Sequence, residues 1–590
     1  ILNNAGEVAP TSGTLAFHSG GTSSGTFAVT SSGATPGIVF GGGTHDLTGS
    51  MGGNAGGIIG VSGGTVNFGG VFTAGPTIAI SGGVANFNAS ATTAAVTLSG
   101  GTLGGTGTVT ATGSFAWTGG SMGGSGSTDL AAGATMTISG STYKDVVTRT
   151  INVGGAATWR DYPIRGSLGP RLNVLAGGSF MVETDHSIEH CCSGGDPLTI
   201  SVSAPAPTAG FIGKQTATGV TSIHAILNND GEVSPSSGTL TFTRGGTSTG
   251  TFLASSVTTT PGIVFGGGTH NLTGGLDGNP SGIIGVSAGT ATFTGTFVSG
   301  PTIAVSGGVA SFDSDVSTAA VTLSGGTLSG TGTLTATSSF AWTGGTLGGS
   351  GTLMVPAGAT ATLSGSTYKD LISRTIGIAG TLIWRDYPLR ASQGAVLNVL
   401  PGGLFDVQTD HALEHCCSGG NPLTINVSAA PPLAVRPGSP ASEAVGDGGT
   451  IGKQIATGTT NIHAILNNAG RVAPSSGTLT FTQGGTSSGT FLASSVTTTP
   501  GIVFGGGTHN LTGSLGGNPS GIIGVSAGTA TFTGTFVSGP TIAVSGGVAN
   551  FDSDVSTAAV TLAGGTLAGT GTLTATSSFA WTGGTLGGSG

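Results

Sequence analysis

Charged side chains are scarce in this chain. Only 6% of its 590 residues are Asp, Glu, Lys or Arg, and Lys and Arg together number 14. A nucleic-acid interface needs clustered positive charge, so the composition argues against DNA or RNA as a partner. No run of about 18 apolar residues occurs, and no transmembrane helix is predicted. Good helix formers never recur at a 3.6-residue period, which argues against long helices.

Glycine and apolar residues are abundant instead. The chain contains 118 Gly, and 36% of its residues are hydrophobic. Many Val, Ile, Leu and Phe residues stand at alternate positions, which is the period of a half-buried strand. Short strands separated by glycine turns are therefore predicted, and the chain is assigned to the all-β class.

A long repeat organises the chain. The tetrapeptide Ile-Leu-Asn-Asn begins at Ile1, Ile226 and Ile465, and segments 226–351 and 465–590 differ at only ten positions. The predicted divisions are copy 1 (1–225), copy 2 (226–464) and a partial copy 3 (465–590). Because the sequence starts and stops within a module, we expect the natural protein to continue beyond both ends.

A shorter period of about 20 residues, the length typical of one solenoid coil, runs inside each copy. It is marked by an apolar anchor that is followed by a turn of small residues. In copy 2 these anchors are Phe265, Val286, Val305, Leu323, Trp342 and Leu363, and in copy 1 they are Phe40, Val61, Ile80, Leu98, Trp117 and Ile138. With coils about 4.8 Å apart, a copy of about eleven coils spans about 50 Å.

Columns of equivalent residues predict which side of each strand faces the core. Leu272, Phe293 and Phe312 form an apolar column, and His270 lies two positions before Leu272. Both columns are predicted to point inward, because side chains alternate along a strand. The column between them is mostly Thr, for example Thr269, and is predicted to point outward. Glycine is expected at the corners, where positive φ is needed.

Two windows depart from this pattern. Residues 144–196 and 369–421 hold 20 of the 37 charged residues and all four cysteines. Each window contains a Trp-Arg-Asp-Tyr-Pro run followed by another Arg. The candidate contact residues are Arg160, Asp161, Tyr162 and Arg165 in copy 1 and Arg385, Asp386, Tyr387 and Arg390 in copy 2. Such a cluster is either a patch for a carboxylated sugar or a neighbouring rod, or a larger loop pinned by its own ion pairs.

Each window then carries Asp-His-x-x-Glu-His-Cys-Cys. If this segment formed a short helical turn, its two histidines would share a face and could bind metal with the glutamate between them. The metal candidates are His186, Glu189, His190, His411, Glu414 and His415. The spacing matches no closed zinc pattern, however, and we predict no cofactor.

The cysteines form one adjacent pair in each copy. Cys191 and Cys192 belong to copy 1, and Cys416 and Cys417 follow one full module later. Bonded cysteines need Cα atoms within about 7 Å, so a bond between the copies of one rod is excluded. Three states remain: a strained ring between neighbours, free thiols, or bridges to another chain. Bridges between rods are chemically reasonable outside the cell.

Two Pro- and Ala-rich segments, 203–213 and 428–452, differ in length by 14 residues. That difference accounts for the change in repeat length from 225 to 239. Because register is kept across it, both segments are predicted to leave the coil as surface loops.

Segments such as Leu323–Leu334 (LSGGTLSGTGTL) and Phe340–Gly351 (FAWTGGTLGGSG) resemble strand repeats of large bacterial surface proteins. The similar families are autotransporter passengers and filamentous-haemagglutinin-like adhesins. The resemblance covers most of each copy and implies a right-handed, single-stranded β-helix, export, and adhesion or surface coating. It brings no catalytic residues with it.

The leading prediction is therefore an extracellular structural fibre, sheath or stalk without enzyme activity. Its partners would be copies of itself, joined through the charged windows. The alternative is a cell-surface adhesin that binds a host or a surface polysaccharide. A third hypothesis is a carbohydrate-active β-helix enzyme using Asp161, Asp185 or Glu189 as acid and base. Because active sites in solenoid enzymes are usually single, the repetition of the window argues against it.

Overall fold

The computed structural model describes residues 1–73, 75–190, 194–204, 208–254, 260–278, 282–295, 297, 300–415, 419–431, 448–493, 499–518, 520–537 and 539–590. Over these residues the chain is all-β, and it forms a β-solenoid of about 25 turns with parallel strands about 21 residues apart. The predicted fold class is confirmed. Within the described part of the chain, no helix has the length and apolar character needed to cross a membrane.

The chain divides into two compact units, Ile1–Pro301 and Thr302–Gly590. The strands of the first unit are β1 Glu7–Val8, β2 Leu15–Phe17, β3 Gly21–Ser23, β4 Thr26–Val29, β5 Ile38–Leu47, β6 Met51–Gly53, β7 Ile58–Phe68, β8 Thr77–Ile80, β9 Val84–Phe87, β10 Ala91–Leu98, β11 Thr102–Gly104, β12 Thr108–Trp117, β13 Gly120–Met122, β14 Ser127–Leu130, β15 Thr135–Ile138, β16 Lys144–Val147, β17 Thr150–Val153, β18 Ala156–Trp159, β19 Ile164–Ser167, β20 Arg171–Val174, β21 Ser179–Val182, β22 Ile188–His190, β23 Thr199–Val202, β24 Phe211–Lys214, β25 Val220–Ile223, β26 Ile226–Asn229, β27 Glu232–Pro235, β28 Thr239–Phe242, β29 Gly246–Ser248, β30 Thr251–Ala254, β31 Ile263–Leu272, β32 Leu276–Gly278 and β33 Ile283–Phe293.

The strands of the second unit are β34 Thr302–Val305, β35 Val309–Phe312, β36 Val316–Leu323, β37 Thr327–Ser329, β38 Thr333–Trp342, β39 Gly345–Leu347, β40 Thr352–Val355, β41 Thr360–Leu363, β42 Lys369–Ile372, β43 Thr375–Ile378, β44 Thr381–Trp384, β45 Leu389–Ser392, β46 Val396–Val399, β47 Leu404–Val407, β48 Leu413–His415, β49 Leu423–Val427, β50 Thr450–Lys453, β51 Thr459–Ile462, β52 Ala464–Asn468, β53 Arg471–Pro474, β54 Thr478–Phe481, β55 Gly485–Ser487, β56 Thr490–Ala493, β57 Ile502–Leu511, β58 Ser514–Gly517, β59 Ile522–Phe532, β60 Phe536–Val537, β61 Thr541–Val544, β62 Val548–Phe551, β63 Val555–Leu562, β64 Thr566–Ala568, β65 Leu573–Trp581 and β66 Thr585–Leu586.

Each coil through the windows has three strands, and each strand pairs in parallel with the strand three places later. In the first unit, face 1 is β16–β19–β22–β25–β28, face 2 is β17–β20–β23–β26–β29 and face 3 is β18–β21–β24–β27–β30. In the second unit the same faces begin at β42, β43 and β44. Longer strands such as β12 cover two faces, since β12 pairs first with β14 and then with β15.

The predicted anchors stack in register in the core. Leu98 pairs with Trp117, and Trp117 pairs with Ile138 in the next coil. The inward columns are confirmed as well, because His270 and Leu272 are buried and pair with Ala291 and Phe293. Each fully buried Phe or Leu contributes about 1.5–3 kcal/mol relative to exposure. Alternation along the strand thus builds the core one coil at a time.

Glycine forms one corner of the solenoid for a steric reason. Gly83, Gly101 and Gly120 occupy this corner in successive coils with φ of 64°, 65° and 81°. A Cβ added to Gly101 would lie 2.5 Å from the carbonyl oxygen of Gly83, and one added to Gly120 would lie 2.6 Å from that of Gly101. Both the positive φ and the close approach of the preceding coil therefore require glycine here.

The Pro-rich segments differ in part from the prediction. Their last residues belong to strands: Phe211–Lys214 is β24 and Thr450–Lys453 is β50, and both pair with the coil before them. The predicted loops 203–213 and 428–452 are therefore too long at their carboxyl ends. Residues 205–207 and 432–447 lie outside the described residues.

Candidate functional site

The described parts of the charged windows form regular coils. Residues 144–190 supply β16 to β22, and residues 369–415 supply β42 to β48. The interpretation of each window as a larger loop is therefore wrong, although the ion pairs that it included are present, for example Arg165–Asp145 and Arg390–Asp370. It treated charge as a sign of a loop, whereas alternation turns Asp145 and Arg165 outward from strands whose Val146 and Ile164 lie in the core.

Arg165 is held by a carboxylate in the preceding coil. The outward positions of β16 and β19 are in register, so Asp145 lies beside Arg165. Nε and Nη2 of Arg165 donate to the two carboxylate oxygens of Asp145 at 2.7 and 2.9 Å. The guanidinium carbon also lies 3.9 Å from the ring centroid of Tyr143. These hydrogen bonds and the charge of Asp145 raise the pKa of Arg165.

The second window repeats this arrangement. Arg390 donates from Nε and Nη2 to Asp370 at 2.6 and 2.7 Å, and it lies 4.0 Å from the ring centroid of Tyr368. Bidentate pairing fixes both the position and the plane of a guanidinium. The structure therefore identifies the intrachain partners of Arg165 and Arg390 as Asp145 and Asp370, which the sequence analysis did not name.

The outward row of face 1 continues beyond the arginine. Arg165 is in register with Glu189 of β22, and the pairing of Ile188 with Ile223 places His224 next along the row. The ring Nδ1 of His224 is hydrogen bonded to the hydroxyl of Thr243 at 2.9 Å. We call the row Asp145, Arg165, Glu189 and His224 the charge ladder of copy 1. The charge ladder of copy 2 is Asp370, Arg390, Glu414 and His463.

Tyr162 and Tyr387 have left-handed backbones, with φ of 61° and 59°. Non-glycine residues at positive φ are uncommon and mark strain. Each turn is held by a tryptophan, because the indole Nε1 of Trp159 donates to the Tyr162 carbonyl at 2.9 Å and that of Trp384 does the same at Tyr387. Among the described residues, all six non-glycine residues at positive φ fall within the two windows.

The tyrosine rings of the windows also contact one another. Tyr162 packs edge-on against Tyr143 with ring centroids 5.0 Å apart, and its other neighbour is His186 at 5.7 Å. Tyr387 makes the same contacts with Tyr368 at 5.0 Å and with His411 at 5.8 Å. The positive φ alone would favour glycine at this turn. The ring contacts explain why tyrosine occupies it instead.

The remaining predicted contact residues have modest interactions. Arg160 forms an exposed ion pair with Glu183 at 3.0 Å, while Arg385 donates to the amide oxygen of Gln408 at 3.3 Å. The carbonyl oxygens of Asp161 and Asp386 accept from buried lysines, Lys144 at 3.1 Å and Lys369 at 3.4 Å. Exposed ion pairs of this kind contribute less than about 1 kcal/mol.

The helical turn required by the metal hypothesis is not formed. Glu189 and His190 belong to β22, and Glu414 and His415 belong to β48. Glu189 accepts a hydrogen bond from the Ser187 hydroxyl at 2.8 Å, and Nδ1 of His415 donates to the carbonyl of Ala391 at 3.3 Å. Within the described ranges no group of three or more His, Cys, Asp or Glu side chains could hold a metal ion. The cysteine candidates, Cys191, Cys192, Cys416 and Cys417, lie outside the described residues, so the three states considered for them stay predictions.

Buried lysines are the feature that sequence analysis missed. Lys214 has a fully buried side chain, and Nζ donates to the carbonyl of Thr184, the carboxylate of Asp185 and the hydroxyl of Thr221 at 2.9, 2.7 and 2.6 Å. Lys453 repeats this set. Burial lowers the pKa of Lys214, and the hydrogen bond and charge of Asp185 oppose that shift. Alternation in β24 was an available signal, since it places Lys214 on the side of Ile212.

Two buried arginines join consecutive coils at the corner that precedes face 2. The guanidinium of Arg149 donates to the carbonyls of Gly123 and Ser127 at 2.9 and 2.6 Å, and reaches Gly105 and Gly107 one coil further back at 3.5 and 3.4 Å. Arg374 makes the equivalent contacts in copy 2. Burial lowers the pKa of each to about 10.

The two arginines differ at one atom. Nε of Arg149 donates to the hydroxyl of Thr128 at 2.7 Å. In copy 2 the equivalent residue is Leu353, and the buried Nε of Arg374 has no hydrogen-bond partner among the residues that the structure describes. An unpaired buried donor costs about 1–3 kcal/mol, so the copies should differ in local stability here.

No family model matches the chain, and no curated protein or solved structure matches it. The fold and the windows must therefore be interpreted from their own chemistry.

Proposed function

We propose that this chain is a segment of an exported structural fibre, sheath or stalk built from tandem β-solenoid modules that associate through their charged windows. The observation that carries the proposal is the continuous pairing of coils on three faces in each unit. A solenoid of this kind grows by stacking, since each repeat contacts only its neighbours. Added modules therefore extend length at a constant cross-section.

The repetition of the windows also supports a structural role. The same bidentate pair, stacked tyrosine and strained turn recur in successive modules, at Arg165 and at Arg390. A fibre contact must recur along the length of a rod, whereas a solenoid enzyme needs only one site. We therefore propose that the windows form contacts between chains.

Small-angle X-ray scattering tests the rod. The measurement compares this chain with a version that carries one additional module equal to copy 2 (226–464). If length grows in proportion to chain length, the radius of gyration rises by about 40%, whereas a compact body grows as the 0.38 power of chain length and gains about 14%. The smaller increase would overturn the proposal. Immunogold labelling of the cells that make the protein tests export, which requires label outside the membrane.

An adhesin is the second candidate, because an open cavity of about 390 Å³ lies beside the charge ladder of copy 1. Its lining residues are Ser187, Glu189, His190, His224 and Arg244. These donors and acceptors suit an acidic sugar, with Arg244 as the partner for its carboxylate. The position equivalent to Arg244 in copy 3 is occupied by Gln483, so the test variant is Arg244→Gln. This variant is expected to lose retention on an acidic glycan array. Equal retention of both proteins would contradict the adhesin.

A further inference from the structure

The two charge ladders have an alternating sign that was not evident from the sequence. Asp145 is negative, Arg165 positive and Glu189 negative, and His224, which is positive when protonated, completes the row. Copy 2 has the same order in Asp370, Arg390, Glu414 and His463. Neighbours along a row are one coil apart, which is about 4.8 Å. The alternation avoids like-charge contacts between neighbouring coils of one chain. It also makes the row complementary in charge to the same row of a second chain that runs in the opposite direction.

We infer that the charge ladder is a docking surface for a second copy of this chain in the antiparallel orientation, a conclusion that rests on the proposed function. An antiparallel copy related by a twofold axis places Arg165 opposite the Glu189 of the second copy, and Glu189 opposite its Arg165. Asp145 then faces the His224 of the second copy. A parallel copy in the same register would place every charge opposite a like charge, which is unfavourable.

The side chains retain capacity for these contacts. With respect to the described residues, Arg165 donates from Nε and from one N–H of Nη2 to Asp145, which leaves three of its five N–H donors for a further contact. Glu189 accepts one hydrogen bond from Ser187, whereas a carboxylate has about four acceptor sites. Arg165 and Asp145 are also one-quarter to one-third exposed, so the row is accessible.

Tyr143 flanks the row and supplies the apolar part of the contact. Its ring covers the Arg165 guanidinium at 3.9 Å and remains 40% exposed, and Tyr368 does the same beside Arg390 at 41%. Tyrosine and arginine are enriched at the centres of protein interfaces. The same exposed pair in both copies identifies this side of face 1 as the contact.

One ladder alone is short. The four coils of one ladder span roughly 15–20 Å along the solenoid. A patch of that length is too small to bury the area of about 800 Å² that each partner contributes to a standard interface. The ladder therefore sets orientation and register, and affinity accumulates as successive modules dock. Twofold closure at each ladder uses the same patch on both chains.

A charge swap tests the inference in the full chain under reducing conditions, so that thiols do not contribute. Variant A carries Arg165→Glu and Arg390→Glu, and variant B carries Glu189→Arg and Glu414→Arg. Each is expected to lose self-association by at least about tenfold in dissociation constant, measured by analytical ultracentrifugation. An equimolar mixture of the two variants is expected to restore association, because in the antiparallel orientation every charge of the ladder of A faces an opposite charge of the ladder of B. High salt weakens both the native dimer and the mixture.

The orientation has its own measurement. A photoreactive benzoylphenylalanine at position 143 is expected to crosslink to the coil that carries His224 of a second copy. Crosslinks to the coil that carries residue 143 itself would show a parallel arrangement and overturn the inference. So would a mixture of folded variants A and B that stays monomeric.

Circular dichroism establishes that the variants are folded. If variant A is not, Arg165→Gln with Arg390→Gln removes the charge without adding repulsion, and it must still weaken the salt-sensitive association. A chain that lengthens with each module, is exported and self-associates, yet does so equally well as the native protein and as variants A and B, overturns the ladder and leaves the proposed function intact. A chain that stays monomeric at all salt concentrations overturns the ladder and the association through the windows together. Failure of the scattering test overturns the proposed function.

Discussion

Thr128→Val isolates one hydrogen bond to a buried cation. The substitution keeps the shape of a fully buried side chain and removes the hydroxyl that accepts from Nε of Arg149 at 2.7 Å. The guanidinium still donates to backbone carbonyls, so the change leaves one unpaired donor, at a cost of about 1–3 kcal/mol. The variant thereby acquires the defect that copy 2 has naturally at Arg374.

Local opening is the appropriate readout, because solenoids unfold in parts and a global midpoint would dilute the effect. Amide hydrogen exchange is measured for peptides covering β14 and β17, the strands next to Arg149. The expected loss of protection is about 5- to 150-fold, since 1.4 kcal/mol corresponds to a factor of about ten. The peptides covering β40 and β43 of copy 2 serve as an unchanged reference in the same molecule.

Thr158→Val is the matched control, because Thr158 points outward from β18 and its loss of a hydroxyl leaves no buried donor. Its effect should stay within about 0.5 kcal/mol. If Thr128→Val leaves exchange in β14 and β17 unchanged while the protein is folded, the argument from the unpaired Nε is refuted.

Three further predictions concern the core. Gly101→Ala should cost more stability than Gly133→Ala, because both glycines have positive φ but only Gly101 has a carbonyl 2.5 Å from the new Cβ; equal losses in denaturant midpoint would contradict the steric argument. Burial lowers the pKa of His270 in the folded protein below the usual value of 6.5. As the pH falls through 6.5, the unfolded chain is therefore protonated before the folded protein, and the stability that is present above pH 6.5 is lost. His270→Ala should remove the acid-induced exchange around β31 and leave that around His509 in β57, and persistent acid sensitivity in β31 would count against it. Lys214→Met should cost less than Lys214→Ala, because both variants lose the ion pair with the half-exposed Asp185 but only alanine leaves a cavity, which costs about 2–5 kcal/mol; equal or reversed losses in thermal unfolding would contradict the packing argument.

The solenoid could be predicted from sequence because the pattern that specifies each coil recurs within one coil period. The coil period places Trp117 and Ile138 in one column, and pairing in register follows from that spacing. Glycine corners such as Gly101 follow in the same way, since the turn recurs once in each coil. The assignment of these residues to core or corner needed no knowledge of the windows.

The windows were harder to predict because their partners come from other coils. Arg149 is satisfied by carbonyls of the two preceding coils, from Gly105 to Ser127, and no local pattern specifies such a set. Charge was therefore interpreted as a sign of a surface loop. The pairing of Arg165 with Asp145 was within reach, since both occupy the same outward position one coil apart, but it required alignment of the windows to the coil period. Right-handed coiling, export and self-association stay predictions.

Arg149 also has a mechanical consequence. Its donors connect a coil to the two coils before it, so a force that peels the chain away one turn at a time meets three turns bound together at this point. In single-molecule pulling, extension should pause at Arg149 and again, more weakly, at Arg374. Each of the two complete modules would then resist unravelling at its own buried arginine.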